Sequence, residues 1–333
     1  MDILNLIKNQ DRVDYASNYT YGRTYIGEKL FPSVKTDNLT VRVMQLLEGG
    51  DLPVAAVVHS FDSEAKIGDR PNFEIVSLEK MFIKEKINQT ERIIQFLGDR
   101  ASDNEVKAFV YDDMGNMLSR VQTRAEVARM ELLSTGKVTI KENNITKEVD
   151  YKLSVNNKVP FTWSDPSADI IGDLRTLVAT ARSKGKILQR AITSAKVLGY
   201  IMNNTAIIKM WEKTMDVMTD VSVLRWLSSQ FGIEFVLNDE VYKESATSNT
   251  THRFFKEDVI SFVSTRLALG ESVYGVTPEE RELKNSGATV AEKMLVSLTQ
   301  WKTPDPVAVW TKASALFVPV IKDINGLYIA TIS

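Results

Sequence analysis

The chain has 333 residues with a formal net charge of −2, 44% of them hydrophobic and 25% charged, enough apolar content for a real core divided over two domains. It has no cysteine and two histidines, which excludes disulfides, thiolate metal sites and cysteine nucleophiles. The charge balance argues against a protein whose main task is to coat nucleic acid, because neutralising phosphates needs an excess of lysine and arginine.

Met1 to Gln10 contains Asp2 and Lys8 and no apolar core of signal length, and no run of about 18 uncharged apolar residues occurs. A cytosolic product that does not enter a membrane is expected. Sequons such as Asn38-Leu39-Thr40 and Asn144-Ile145-Thr146 are read as chance.

Residues 1–50 mix short apolar pieces with Tyr21-Gly22, Gly27, Phe31-Pro32 and Gly49-Gly50, and read as an arm that stays ordered only by lying on another surface. Residues 51–86 follow as two apolar stretches, Pro53–Val58 and Phe73–Ile83, around a polar centre, Asp62 to Arg70. That is the outline of an extended β-hairpin. An isolated hairpin is marginal in water, so this one lies either on its own domain or on a neighbouring subunit.

Val106, Phe109, Val110, Met114, Met117, Val121, Ala125, Ala128 and Leu132 recur at spacings of three and four, which keeps one helix face apolar. Asp103 or Asn104 can cap the start, and Gly136 closes the end as the residue that most easily turns left-handed. The helix would be on the order of 45 Å long, a spine. Gly115 allows a turn between two helices at Asp112–Asn116 as the alternative. Lys137–Glu142 and Ile145–Leu153 then alternate about Asn143-Asn144 as a hairpin. Helix plus hairpin gives an α+β layer.

Lys158–Asp165, with Pro160 and Trp163, reads as a crossing between domains. Helices are expected at Ser167–Lys184, Ser194–Asn203, Asn204 towards Trp211, and Asp220–Gln230 before Gly232. Strands are expected at Lys186–Ile192, Ile233–Leu237 and Asp258–Val263, with Gly270–Pro278 a loop. The tail, Val307–Ile321 and Leu327–Ile332 about Asn325-Gly326, reads as a hairpin finishing a sheet begun earlier.

Catalytic patterns are missing. His59 and His252 fall in different regions with no carboxylate pattern between them. Gly136-Lys137 lacks the upstream glycine and following hydroxyl of a phosphate loop, and neither a GxSxG elbow nor a GxGxxG turn occurs. The neighbours Asp112-Asp113, Asp239-Glu240 and Glu279-Glu280 point in different directions and read as solvated surface. The tryptophans read as core or interface anchors. Arg120, Arg124 and Arg129 read as a solvated or ion-paired helix face, with a local basic contact surface as the alternative.

The order of Leu30-Phe31-Pro32, the loop from Leu52 to Lys86, Lys86 to Arg92, Arg129 to Ile140, Lys186 to Asn203 and the strand-forming tail resembles the tailed-phage major capsid proteins, in the branch of the phage lambda capsid protein E. The resemblance covers nearly the whole chain. It implies an α+β capsid fold with an N-terminal arm (1–50), an extended loop (51–86), a peripheral domain with the spine helix and sheet (87–160 plus 306–333) and an axial domain (161–305). The implied function is a structural head protein, not an enzyme, assembling into pentamers and hexamers of an icosahedral shell around double-stranded DNA.

The implied partners are other copies of the chain, a scaffolding protein, a portal, a decoration protein, and packaged DNA bound without sequence specificity, in a virion assembled in the host cytoplasm. No cofactor or metal is implied. Phe31, Asp62, Glu64, Lys66, Asp69, Arg70, Arg120, Arg124 and Arg129 are the expected assembly contacts. Lys66 is the loop lysine that an intersubunit crosslink would use, although no glutamate partner for it is identifiable. Another self-assembling shell or tail protein is the alternative, followed by an enzyme built from ordinary Asp, Glu, Lys and Arg.

Overall fold

The computed structural model describes residues 15, 22–46, 52, 54–59, 61, 64, 67, 70, 72–89, 103–142, 145–213, 217–265, 268–282, 289–291, 295–305 and 307–333. In chain order the elements are helix α1 (Ile26–Leu30), strands β1 (Ser33–Thr36), β2 (Thr40–Leu46), β3 (Phe73–Glu79) and β4 (Met81–Gln89), the long helix α2 (Asp103–Thr135), and strands β5 (Lys137–Glu142), β6 (Ile145–Asp150) and β7 (Lys158–Phe161). They continue with α3 (Ile170–Ser183), β8 (Arg190–Thr193), α4 (Ala195–Met202), α5 (Thr205–Trp211), α6 (Asp220–Phe231), β9 (Glu234–Leu237), β10 (Val241–Tyr242), β11 (His252–Arg253), β12 (Val259–Val263) and β13 (Gly270–Gly275). Helix α7 (Pro278–Glu282) and strands β14 (Thr289–Ala291), β15 (Ser297–Pro304), β16 (Val307–Ile321) and β17 (Leu327–Ile332) complete the order.

The chain forms two compact units. One comprises Met1–Val41, Leu78–Ala128 and Glu271–Val320; the other comprises Arg42–Ser77, Arg129–Gly270 and Ile321–Ser333.

In the first unit a sheet runs in the order β1-β13-β16-β15-β14, with β4 also paired to β16. The 15-residue β16 is buried along nearly its whole length. Its sequence, VAVWTKASALFVPVI, is therefore apolar on both faces apart from Thr311, Lys312 and Ser314, where an edge strand would alternate. β4 does alternate, with Phe82, Lys84, Lys86 and Asn88 exposed. Helix α2 is one unbroken helix of 33 residues, about 50 Å long. Gly115 is buried within it, beside the buried Val110, Met114, Met117, Leu118, Val121 and Ala125, so tertiary packing overrides the glycine's weak propensity.

The arm residues from 22 to 36 pack within this unit. Leu30 and Phe31 are fully buried, each worth roughly 2 kcal/mol of apolar transfer. The Gly27 N–H donates to Glu126 Oε1 at 2.9 Å, and the Tyr25 and Thr123 hydroxyls share a hydrogen bond. β1 runs parallel to β13, Ser33 to Thr36 against Ser272 to Gly275.

In the second unit the sheet order is β7-β17-β12-β8-β9. Trp163, Leu174, Leu177, Leu198, Ile201, Ile207, Leu227 and Phe262 belong to its core. Local side chains set the helix starts: Asp169, Ser194, Asn204 and Thr219 each accept N–H groups of the following turn. α6 stops at Gly232, φ 68°.

Three expectations are corrected. Lys158–Phe161 is not a crossing but strand β7, parallel to the chain's last strand. Gly270–Gly275 is strand β13 rather than loop, its backbone held by β1 and β16. The tail is not a hairpin: β16 and β17 lie in different sheets, joined through a 3₁₀ turn at Ile324–Gly326, because each strand finds its edge among distant segments.

Gly136 has φ 75° and accepts the helix stop, its N–H bonded to the Leu132 carbonyl at 2.8 Å. A Cβ placed there would lie 2.9 Å from Leu153 Cδ2. Gly136→Ala should therefore cost about 2 kcal/mol from the left-handed conformation plus the contact, measured as a lower urea midpoint with an unchanged slope.

Candidate assembly interface

Among the described residues, the most exposed apolar side chains lie between β2 and β3. Val54 and Val58 are 94% exposed, Phe61 99% and Ile67 90%. Phe73 and Ile75, at the start of β3, are more than half exposed. A monomer gains nothing from so many exposed apolar side chains in one segment, and apolar exposure of this kind marks a contact surface. The strand pairing differs from the expected hairpin. Described residues 54–59 form no strand, and β3 pairs with β2. The alternating Thr40–Leu46 supplies the edge that Phe73–Glu79 needs, across an intervening segment that hides the pairing from a local reading. The expected second arm also divides at Lys80, because Met81–Gln89 pairs with β16.

Lys80 lies where β3 ends and β4 begins, with 3% of its surface exposed. Its three N–H groups are shared among four oxygens, the Thr36 Oγ1 and the Asn38 carbonyl at 2.7 Å each, the Thr36 carbonyl at 3.0 Å and the Tyr274 carbonyl at 3.1 Å. Burial pulls its pKa below the ordinary lysine value. This oxygen cage joins the arm, β13 and the loop's root, and nothing in the sequence singled it out.

Glu279 and Glu280, expected on a solvated surface, are 6% and 4% exposed. Two distant lysines make that burial tolerable. Lys312 donates to Glu279 Oε1 at 2.6 Å, and Lys35 reaches both Glu280 oxygens at 2.9 Å. Ser297 adds a 2.7 Å donation to Glu280 Oε1. Burial alone would raise the Glu279 carboxyl, but the Lys312 hydrogen bond and charge outweigh it and hold the pKa below the usual value. Its stabilising contribution is therefore complete above the unfolded value of 4.5 and is lost as pH falls through the lower folded value. Urea titrations at pH 7 and in that acid window should show a smaller loss of stability on acidification for Glu279→Gln than for the native chain. Equal losses would remove Glu279 from the account.

Along the exposed side of β4, Lys84 lies 4.4 Å from the Phe82 ring centroid and Lys86 4.6 Å from that of Trp310, which stacks on Trp301 at 6.1 Å. These cation–π contacts hold two ammonium groups in fixed places.

The nine expected contact residues do not converge. Phe31 and Arg129 are fully enclosed by their own chain, so the expected basic helix face stops short of the helix end. Arg120 is exposed and pairs with Glu85, and Arg124 is half-buried. Glu64 and Arg70 are exposed on the loop, while Asp62, Lys66 and Asp69 lie outside the described residues, as does the Asn143-Asn144 turn. Among the described residues, no group of three His, Asp or Glu could hold a metal, and no helix is long and apolar enough to cross a membrane.

The family described as phage major capsid protein E matches residues 14–332. Among solved structures the chain is similar to a protein described as the capsid protein of a prophage in Escherichia coli CFT073, at 15% identity over 98% of both chains and a TM-score of 0.64. It is also similar to a phage-related protein of Bordetella bronchiseptica RB50, at 12% identity over 98% of this chain and 97% of that one, TM-score 0.58. The mature capsid of bacteriophage PhiM1 matches at 8% identity over 95% and 89%, TM-score 0.50. Identities this low carry the fold and nothing further. No curated protein matches the chain.

Proposed function

The chain belongs to the phage major capsid protein E family, and from that premise we propose that its copies close into pentamers and hexamers tiling an icosahedral head around double-stranded DNA. It is a structural protein of the phage capsid, with the phage capsid fold, and its place is the virion shell. In this reading residues 87–160 with 306–333 act as the peripheral domain, residues 161–305 as the axial domain, residues 51–86 as the extended loop and residues 1–50 as the arm.

The observation that carries this reading is the bare loop. Side chains as exposed as Val54, Val58 and Phe61 make sense on a subunit whose neighbours supply the missing cover. Exposed Glu64 and Arg70 are contacts of the same kind, and Arg120 and Arg124 contribute from the spine. Asp62, Lys66 and Asp69 join them on sequence grounds. The role is mechanical rather than catalytic. A scaffolding protein, a portal and a decoration protein complete assembly in the host cytoplasm. The net charge of −2 suits a wall that holds DNA without gripping it.

Expression of the chain alone, and then with its genomic neighbours, followed by light scattering and negative-stain electron microscopy, tests the proposal. Hexamers, pentamers or closed shells support it. A monomer that persists across salt and concentration, even with those neighbours, overturns it.

A further inference from the structure

The second unit is electrically lopsided in a way that the shell reading leaves unexplained. Across residues 170–231, which supply helices α3 to α6, Lys and Arg outnumber Asp and Glu by nine to four, whereas across 232–258 acids outnumber bases by six to three. The whole chain is slightly acidic, so the two stretches carry opposite excess charge, and of these Arg190 of the first is already paired with Glu234 of the second.

On the cationic side, α3 and the end of α6 line an open groove of about 410 Å³ between Arg175, Val178, Ala179, Arg182, Gln230 and Phe231. Arg175 and Arg182 are exposed, seven residues apart on one helix, so their Cα atoms stand about 10 Å apart. Neither guanidinium has an ion pair or hydrogen bond among the described residues. Two bare cations flanking a partly apolar floor are a receptor for a segment that offers carboxylates around an apolar residue.

The same unit carries such a segment. β10 and β11 form a ribbon of two residue pairs, Val241 with Arg253 and Tyr242 with His252. Val241 is 43% exposed. Glu240 is exposed, and its carboxylate has no partner among the described residues. Glu244 is exposed and touches only His252, at 3.6 Å. Asp239 and Glu257 already share Arg253, so the ribbon's spare charges are the carboxylates of Glu240 and Glu244, with the exposed ammonium of Lys243 between them. A ribbon this short is marginal alone and gains from docking.

We infer that the Arg175/Arg182 groove of one subunit receives the Glu240/Val241/Glu244 ribbon of the next copy. Groove and ribbon are different surfaces of one chain, so the contact is head-to-tail, and head-to-tail contacts of the right angle close into rings. This rests on the shell reading above and names a contact by which its rings close.

The test is a charge swap in the full chain. R175E/R182E and E240R/E244R each alter exposed side chains, and each should keep the native thermal transition while losing at least ~10-fold of the assembled material, since like charges now face each other. The chain carrying all four substitutions should regain assembly. An equimolar mixture of the two double variants should form rings with an even number of subunits, because only alternating copies place opposite charges together. Assembly of either double variant at native yield overturns the inference and leaves the shell reading standing, as does loss that neither the fourfold variant nor the mixture restores. Failure of the unaltered chain to assemble with its genomic neighbours defeats the shell reading itself.

Discussion

Serine at Val54, Val58 and Phe61 together should leave the folded subunit as stable as before and abolish closed shells. In the isolated chain these side chains are 94%, 94% and 99% exposed, so folding removes almost none of their surface from water. Surface changes of this kind stay within about 0.5 kcal/mol, a shift of about 2 °C or less in a melting scan. Against a neighbour the arithmetic reverses. Covering two valines and a phenylalanine is worth roughly 5 kcal/mol per contact, or about 4,000-fold in each association constant, repeated around every ring. Scanning calorimetry with light scattering separates the two effects. Shells at native yield would show that the loop is no contact at all, and a large drop in melting temperature would show that it is covered by its own chain.

Local pattern made α2 and β16 readable because each carries its own boundary marks. The three-and-four spacing ends at Gly136, whose φ of 75° is the stop the sequence implied. Val307–Ile321 was legible to both ends as an apolar run. The short helices were read as starting at Ser194 and Asn204, the residues that cap them, and α6 as stopping before Gly232, its left-handed end. What stayed hidden was held by partners far away in the chain. β7 exists because Leu327–Ile332 lies beside it, and β13 because β1 and β16 flank it. The burial of Glu279 and Glu280 depends on Lys312 and Lys35, which no rule about adjacent carboxylates anticipates. The exposed loop was legible as a region but not in its pairing, and the arginine groove not at all, since its members come from two helices that the sequence separates by some 50 residues.

Lys80→Met should weaken the first unit by about 3 kcal/mol, because the buried Tyr274 carbonyl and the half-buried Thr36 hydroxyl and carbonyl lose their donor, while the exposed Asn38 carbonyl can turn to water. Relief from desolvating the ammonium works the other way, and the downward pull on the lysine pKa shows that burial is costly. The orphaned acceptors outweigh it, since removing one side of a buried polar contact leaves the other side's desolvation unrepaid. A fall of roughly 6–12 °C in melting temperature is expected. The sign of the pH dependence adds a second reading. A lysine whose folded pKa lies below the ordinary 10.5 gives up its proton more readily when folded, so native stability rises as pH climbs from the folded value towards 10.5. The methionine variant should lack that rise. Gly275 is the packing partner to combine with it: a Cβ there would stand 3.0 Å from Lys80 Cδ and 2.9 Å from Leu316 Cβ. Gly275→Ala should destabilise too, and the double variant by less than the sum, because part of the alanine's cost is the displacement of Lys80. Strict additivity would mean that Leu316 alone bears the glycine's constraint. A methionine variant as stable as the native chain would mean that water reaches the cage and the loop's root is not pinned there.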